Sequence, residues 1–108
     1  MSRALSAMGL ARRAGKLNWG YDTVVEAVRQ GECSLVLTAA NLSEKTKKNA
    51  RFEAERAGVP YIETGFTMEE ISAAIGKKTG VIAICDGGFA KKLQQELGAA
   101  GEREELRI

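Results

Sequence analysis

The feature that most constrains the fold is the stretch from Gly20 to Ala40, in which one amphipathic helix leads directly into a buried strand. Four apolar residues recur with helical spacing and form one stripe: Tyr21, Val24, Val25 and Val28. Gly31 is expected to end the helix, because glycine adopts positive φ without a steric cost. Residues 34–40 then form a nearly continuous apolar run, which is typical of a strand covered on both faces.

Helices and short apolar strands alternate along the whole chain. The pattern predicts helices over 3–14, 20–30, 44–57, 68–75 and 89–97, the last one ended by Gly98, and strands over 17–19, 34–40, 59–63 and 81–85. We therefore predict an α/β fold, a three-layer α-β-α sandwich around a four-stranded mixed, mainly parallel sheet. The run 81–85 is the best candidate for a central strand, while Pro60 places 59–63 at an edge and 17–19 is a short edge strand.

The length of 108 residues is that of one domain. We assign residues 1–98 to a single domain and residues 99–108 to a short charged tail, which we expect to be frayed. No apolar run approaches the roughly 20 residues that a membrane-spanning helix needs.

Composition excludes most catalytic chemistry. The chain has no histidine, so neither a Ser-His-Asp nor a Cys-His site is available, and its two cysteines alone cannot hold zinc. We expect Cys33 and Cys85 to be reduced core thiols of a cytosolic protein, and we expect no cofactor and no metal. Asp86-Gly87-Gly88 lies at a strand-to-helix junction, but its spacing matches neither a P-loop nor a dinucleotide fingerprint. Asp86 as a helix cap explains this motif more simply than a phosphate-binding enzyme does.

Two charged helices are expected to carry ordinary surface charge. The lysines of the third helix, such as Lys45, Lys47 and Lys48, favour a solvated face over a binding site. On the second helix, Glu26 and Arg29 are expected to form a surface ion pair.

The distribution of charge is more informative than the net charge of +2. Residues 1–21 contain no acidic residue and four basic ones: Arg3, Arg12, Arg13 and Lys16. The start of the second helix at Gly20 offers free backbone N–H groups that can receive a phosphate or a base edge. Trp19, just before it, either covers the edge of the core or stacks on a base. Together with the basic loop at Lys77 and Lys78, these features favour RNA binding.

The segments GLARRAGKLNWG and SEKTKKNA, with the order of elements, resemble the kink-turn-binding ribosomal-protein family named for ribosomal proteins L-seven-Ae and L-thirty-e, in its bacterial YlxQ-like branch. The resemblance extends over almost all of the chain, from about residue 5 to residue 97. It implies an α-β-α sandwich around a four-stranded mixed sheet. It also implies binding of RNA kink-turns through a glycine, then Asn-Glu, and a Lys three residues after the Glu, at the start of the second helix.

Carried onto this chain, the resemblance places the family's glycine at Gly20 and a variable position at Tyr21. The Asn, Glu and Lys positions are occupied by Asp22, Thr23 and Glu26, so a carboxylate, a hydroxyl and an opposite charge replace the family residues. The second contact loop of the family corresponds to Lys77, Lys78 and Thr79, and Arg12, Arg13 and Lys16 are candidates for a basic footprint of their own.

We therefore expect a non-catalytic, cytoplasmic RNA-binding protein that acts as a monomer on structured RNA, such as ribosomal RNA, and not on DNA or membranes. The alternative is a protein-interaction module on the same fold that has lost RNA binding and has a protein partner. An enzyme ranks third.

Overall fold

A computed structural model describes the backbone of residues 2–106 and the side chains of residues 2–98. The helices are α1 (Arg3–Arg13), α2 (Tyr21–Arg29), α3 (Glu44–Arg56), α4 (Met68–Ile75) and α5 (Gly87–Leu106). The strands are β1 (Leu17–Trp19), β2 (Leu35–Thr38), β3 (Tyr61–Glu63) and β4 (Val81–Ile84). Within this part of the chain, none of the helices is both long enough and apolar enough to cross a membrane.

The four strands form one mixed sheet in the order β1-β4-β2-β3. The positions predicted for the edge strands and the central strand are therefore confirmed. β2 and β3 are parallel, whereas β4 is antiparallel to both β1 and β2. Three strands consequently point the same way, yet only one neighbouring pair is parallel, so the expected predominance of parallel pairing is wrong. Alternation of helices and strands does not define at which end of the sheet the chain re-enters, and β4 enters from the end opposite to the others.

The helices cover both faces of the sheet, which confirms the three-layer sandwich. Side chains alternate along each strand, so Leu35, Leu37, Ile82 and Ile84 pack with α1, α4 and α5 in one cluster. Val36, Val81 and Ala83 pack with α2 and α3 in the other. All eight residues of β2 and β4 are buried, because each strand is paired on both sides and covered on both faces.

The helix ends follow local sequence signals. Ser43 caps α3 through Thr46 N–H at 3.2 Å, and Thr67 with Glu70 forms a reciprocal capping box on α4. Asp86 Oδ2 accepts a hydrogen bond from Phe89 N–H at 2.9 Å, as its predicted role as a cap requires.

The end of the last helix differs from the prediction. α5 continues through Gly98 to Leu106, since one internal glycine costs a helix only about 1 kcal/mol and helix-forming residues follow it. Residues 107–108 of the predicted tail lie outside the described residues, and the division of the chain into 1–98 and 99–108 stays a prediction.

Two surface charges are placed differently from the expectation. Arg29 pairs with Glu53 on α3, with Nη2 to Oε2 at 2.8 Å, while Glu26 accepts a hydrogen bond from Gln30 at 3.2 Å. The predicted pair of Glu26 with Arg29 is therefore wrong, because packing of α2 on α3 brings a better-placed carboxylate to Arg29. Lys47 is also not part of a solvated face.

The Lys47 side chain is buried and crosses from α3 to the sheet edge. Its ammonium donates to Ala40 O at 2.7 Å and to Glu63 Oε1 at 2.8 Å. The hydrogen bond to Glu63 raises the pKa of Lys47. The sequence of α3 does not distinguish Lys47 from the neighbouring lysines, because its hydrogen-bond partners Ala40 and Glu63 lie in other segments of the chain.

Cys33 and Cys85 are both free thiols, as predicted. Burial raises the pKa of Cys33 to about 11, and its Sγ–H donates to Leu35 O at 3.3 Å. Burial likewise raises the pKa of Cys85, whose sulfur accepts a hydrogen bond from Asn18 at 3.3 Å. Both thiols are thus protonated near neutral pH.

This protonation predicts slow reaction of both cysteines with thiol reagents in the native protein. At pH 8 only on the order of one Cys33 side chain in a thousand is the reactive thiolate, and the sulfur is also shielded. A thiol titration should find little modification until denaturant is added. Rapid labelling of both residues, or a mass showing a native disulfide, would contradict the buried-thiol assignment.

Candidate nucleic-acid interface

One end of the sheet gathers the segments that the sequence singled out. β1, β2 and β3 finish at this end and β4 begins there, since Trp19 lies opposite Ile82 and Thr38 lies opposite Val81. Gly20 follows β1 directly and serves as the N-cap of α2. The loop of residues 76–80 enters β4 at the same end. The predicted contact segments around Gly20 and Lys77 are therefore neighbours in the fold.

A shared hydrogen-bond network joins the two segments. Gly20 N–H donates to Val81 O at 3.0 Å and to Thr79 Oγ1 at 3.2 Å. Thr79 Oγ1 in turn donates to Val81 O at 2.9 Å and accepts from Val81 N–H at 3.2 Å. Gly20 adopts φ 91° and ψ 140°, a conformation that glycine reaches without strain. These bonds fix the start of α2 against the loop before β4.

Thr79 itself is buried, with 7% of its surface exposed. Its backbone N–H donates to Ser72 Oγ at 3.0 Å, which ties the loop to α4 as well. Of the three loop residues predicted to contact RNA, Lys77 and Lys78 are exposed, whereas Thr79 holds the loop in place.

The start of α2 is open to a ligand. No side chain caps it, and within residues 2–98 no acceptor lies within hydrogen-bond distance of the backbone N–H groups of Tyr21, Asp22 or Thr23. Asp22, Thr23 and Glu26 are exposed on the same helix. The positive end of the helix dipole attracts an anion here, while the two carboxylates oppose it.

Two cations from different segments lie over the ring of Trp19. The guanidinium carbon of Arg12, on α1, lies 4.6 Å from the centre of the Trp19 ring, and Lys77 Nζ lies 5.5 Å from it. Trp19 is half-buried and packs against the larger core cluster, so it covers the core edge. Its contacts with Arg12 and Lys77 were not predicted, because residues 12, 19 and 77 are brought together only by the sheet and its flanking helices.

The remaining basic candidates lie in two places. Arg13 is exposed and shares a surface groove with Arg12 and Gly76. Lys16 lies beyond the other end of β1, where its carbonyl accepts from Cys85 N–H at 2.8 Å. The structure therefore brings Arg12 and Lys77 to Trp19, the residue before Gly20, with Arg13 and Lys78 next to them in the chain, and it places Lys16 at the other end of β1.

Residues 2–94 match the Ribosomal protein L7Ae/L30e/S12e/Gadd45 family. The chain belongs to this family. It is 38% identical to the RNA-binding protein YlxQ of Enterococcus faecium over 93 residues, which cover 86% of this chain and 89% of that protein. The predicted YlxQ-like branch is thereby confirmed.

Solved structures have the same fold. A protein with unknown function from Bacillus halodurans C superposes with a TM-score of 0.86 at 32% identity, covering 91% of this chain and 99% of that one. The Giardia lamblia 15.5kD RNA binding protein superposes with a TM-score of 0.72 at 18% identity, covering 88% and 84% of the two chains. The second likeness concerns the fold alone.

The junction between Gly20 and Thr79 generates a prediction. Thr79→Val keeps the shape of the side chain but removes the hydroxyl that serves Gly20 and Val81, so it should lower the free energy of unfolding by about 1–2 kcal/mol. It should also speed amide hydrogen exchange at Gly20, measured by NMR. Thr79→Ser keeps the hydroxyl and is the control. Equal exchange rates at Gly20 in the two variants would show that the hydroxyl does not hold this junction.

Proposed function

We propose that this protein is a non-catalytic RNA-binding protein that contacts structured RNA through the start of α2 and the adjoining loop of residues 76–80. The observation that carries the proposal is the junction of an uncapped helix N-terminus with a basic loop at one end of the sheet. Membership of a ribosomal-protein family and the printed function of the YlxQ relative support it.

The charges of this surface suit a polyanion only moderately. Arg12, Arg13, Lys77 and Lys78 attract phosphates, and hydrogen-bond donors at the start of α2 can contact a phosphate or a base edge. Asp22 and Glu26 lie on the same surface and repel phosphates. We infer that the protein binds RNA chiefly through the loop and α1, and that kink-turn binding is weaker than with the family's Asn, Glu and Lys.

The same features lead us to propose where the protein acts, in which oligomeric state and on which kind of RNA. The protein acts in the cytoplasm as a monomer, without cofactor or metal, on ribosomal RNA or RNA of similar structure rather than on DNA. Lys16 belongs to the proposed footprint only if the RNA extends along β1 to its other end, and Thr79 contributes by holding the loop.

The first test is RNA affinity over a salt series, with a kink-turn RNA and a ribosomal RNA fragment. Lys77→Glu/Lys78→Glu should weaken binding by about tenfold or more at moderate salt and reduce the salt slope by roughly 1.4–1.8, the share of two phosphate contacts. The matched control is Lys91→Glu/Lys92→Glu, which makes the same charge change at exposed positions of α5.

If the two double variants weaken RNA binding equally, the RNA either contacts another surface or is attracted by the net charge alone. A parent protein that binds neither RNA at low salt would favour the protein-interaction alternative.

The second test restores the family residues. The triple change Asp22→Asn, Thr23→Glu and Glu26→Lys should raise kink-turn affinity at least tenfold, since each good base-edge contact is worth roughly 1–3 kcal/mol by analogy with duplex readout. The gain should vanish on an RNA whose G·A pairs are replaced by Watson–Crick pairs. Glu32→Lys, an exposed residue between α2 and β2, gives the same net change of two charges and should not reproduce the gain. A folded triple variant without any gain would show that this surface is not a weakened kink-turn site.

A further inference from the structure

A groove between α1 and α4 adjoins the proposed RNA surface and has no assigned role. The two helices approach closely at Gly9, where an added Cβ would lie 2.9 Å from Ala74 O. The groove beside this contact has a volume of about 510 Å³ and is lined by residues that include Leu5, Leu10, Arg12, Arg13, Ala73 and Gly76. Among the described side chains, no carboxylate lines the groove, and the ionised groups that do are the guanidinium groups of Arg12 and Arg13.

Arg12 is unusually placed for a surface arginine. Its Nε is buried and has no hydrogen-bond partner within the described side chains, residues 2–98. Its terminal nitrogens likewise have no protein acceptor in that range, but they are not buried and remain accessible. The guanidinium is thus held at the protein surface by packing rather than by a protein acceptor, which leaves its terminal N–H groups available to an anionic ligand.

Trp19 explains how this guanidinium is held. The ring lies 4.6 Å from the Arg12 guanidinium carbon and is itself fixed by the pairing of β1 with β4. Guanidinium stacks well on aromatic rings, and stacking limits the rotation of a long side chain. Trp19 therefore orients Arg12, and it immediately precedes Gly20, so Arg12 connects the groove that it lines with the start of α2.

The local charge balance favours an anion. The carboxyl ends of α1 and α4 each contribute roughly half a negative charge. Four cations oppose them: Arg12, Arg13, Lys77 and Lys78. One carboxylate, Glu69, interacts with Lys78; the pKa of Glu69 is lowered chiefly by a hydrogen bond from its own backbone N–H and by one from Asn41, and least by Lys78. The surroundings of the groove remain positive.

We infer that the groove between α1 and α4 binds a backbone phosphate of the RNA, with the terminal N–H groups of Arg12 as donors and Trp19 as the positioning residue. This inference rests on the proposed function and extends it, because it predicts that the RNA continues from the start of α2 across Trp19 onto α1.

The test compares variants in RNA affinity over a salt series, with the RNA that the parent binds best. Arg12→Gln should weaken binding roughly three- to tenfold near 0.1 M salt and lower the salt slope by about 0.7–0.9, the share of one phosphate. Arg3→Gln removes the same charge at the exposed start of α1 and should leave the slope unchanged.

Trp19→Leu should reproduce most of the effect of Arg12→Gln, whereas Trp19→Phe, which keeps an aromatic face, should retain parental binding. The double variant Arg12→Gln/Trp19→Leu should lose less affinity than the product of the two single losses, because both changes act on the Arg12 contact, and any further loss beyond Arg12→Gln reports on Lys77, which also lies over Trp19.

Several results would overturn the inference. A parent that binds RNA with a slope unaffected by Arg12→Gln refutes the groove and the contribution of α1, as does an equal loss in Arg3→Gln; contact through the start of α2 and the loop of residues 76–80 then still stands. A parent that binds no RNA refutes the proposed function instead. If Trp19→Leu fails to fold, the comparison of Arg12→Gln with Arg3→Gln still decides whether the groove holds a phosphate.

Discussion

The structure depends on the burial of β4 between β1 and β2. All four of its side chains are buried, on alternating faces, and both of its edges are paired. A strand of this kind requires helices on both faces and a neighbour on each side, which the other elements supply. The same strand begins at Val81, whose carbonyl accepts the Gly20 N–H. The buried central strand thus fixes the position of the start of α2.

Local sequence signals predicted most of the elements but not the relations between them. The apolar stripe of α2, the helix cap at Asp86 and the apolar run of β4 each depend on residues close in sequence, and the structure contains all three. The direction of β4, the pairing of Arg29 with Glu53 and the burial of Lys47 depend on contacts between distant segments. The proposed surface divides in the same way, since the free N–H groups at Gly20 and the basic loop at Lys77 were each recognised within one short stretch. The placement of Arg12 and Lys77 on Trp19 has no signal in any single stretch.

The proposed surface carries both acidic and basic side chains, and its backbone is held in place by hydrogen bonds. Hydrogen bonds through Thr79 hold the helix start and the loop together, so a ligand does not have to order them. Asp22 and Glu26 reduce the attraction for RNA at the helix start, while the basic residues beside Trp19 restore it nearby. On this account the side chains of Asp22 and Glu26 do not contribute to RNA binding, which depends instead on the backbone N–H groups at the start of α2, on the loop of residues 76–80 and on α1. A protein partner, the alternative to RNA, would bind the carboxylates of Asp22 and Glu26 on α2, whereas RNA is repelled by them.

The most direct measurement of where RNA contacts this protein is NMR chemical-shift mapping of the uniformly ¹⁵N-labelled chain with a kink-turn RNA. The account predicts that the largest changes fall on the backbone amides of residues 20–23 and 76–79 and on the Nε–H of Arg12. Small changes are expected on the charged face of α3, at Lys45, Lys48 and Arg51. Shifts concentrated on α3, with the amides around Gly20 and Lys77 unmoved, would contradict the proposed surface.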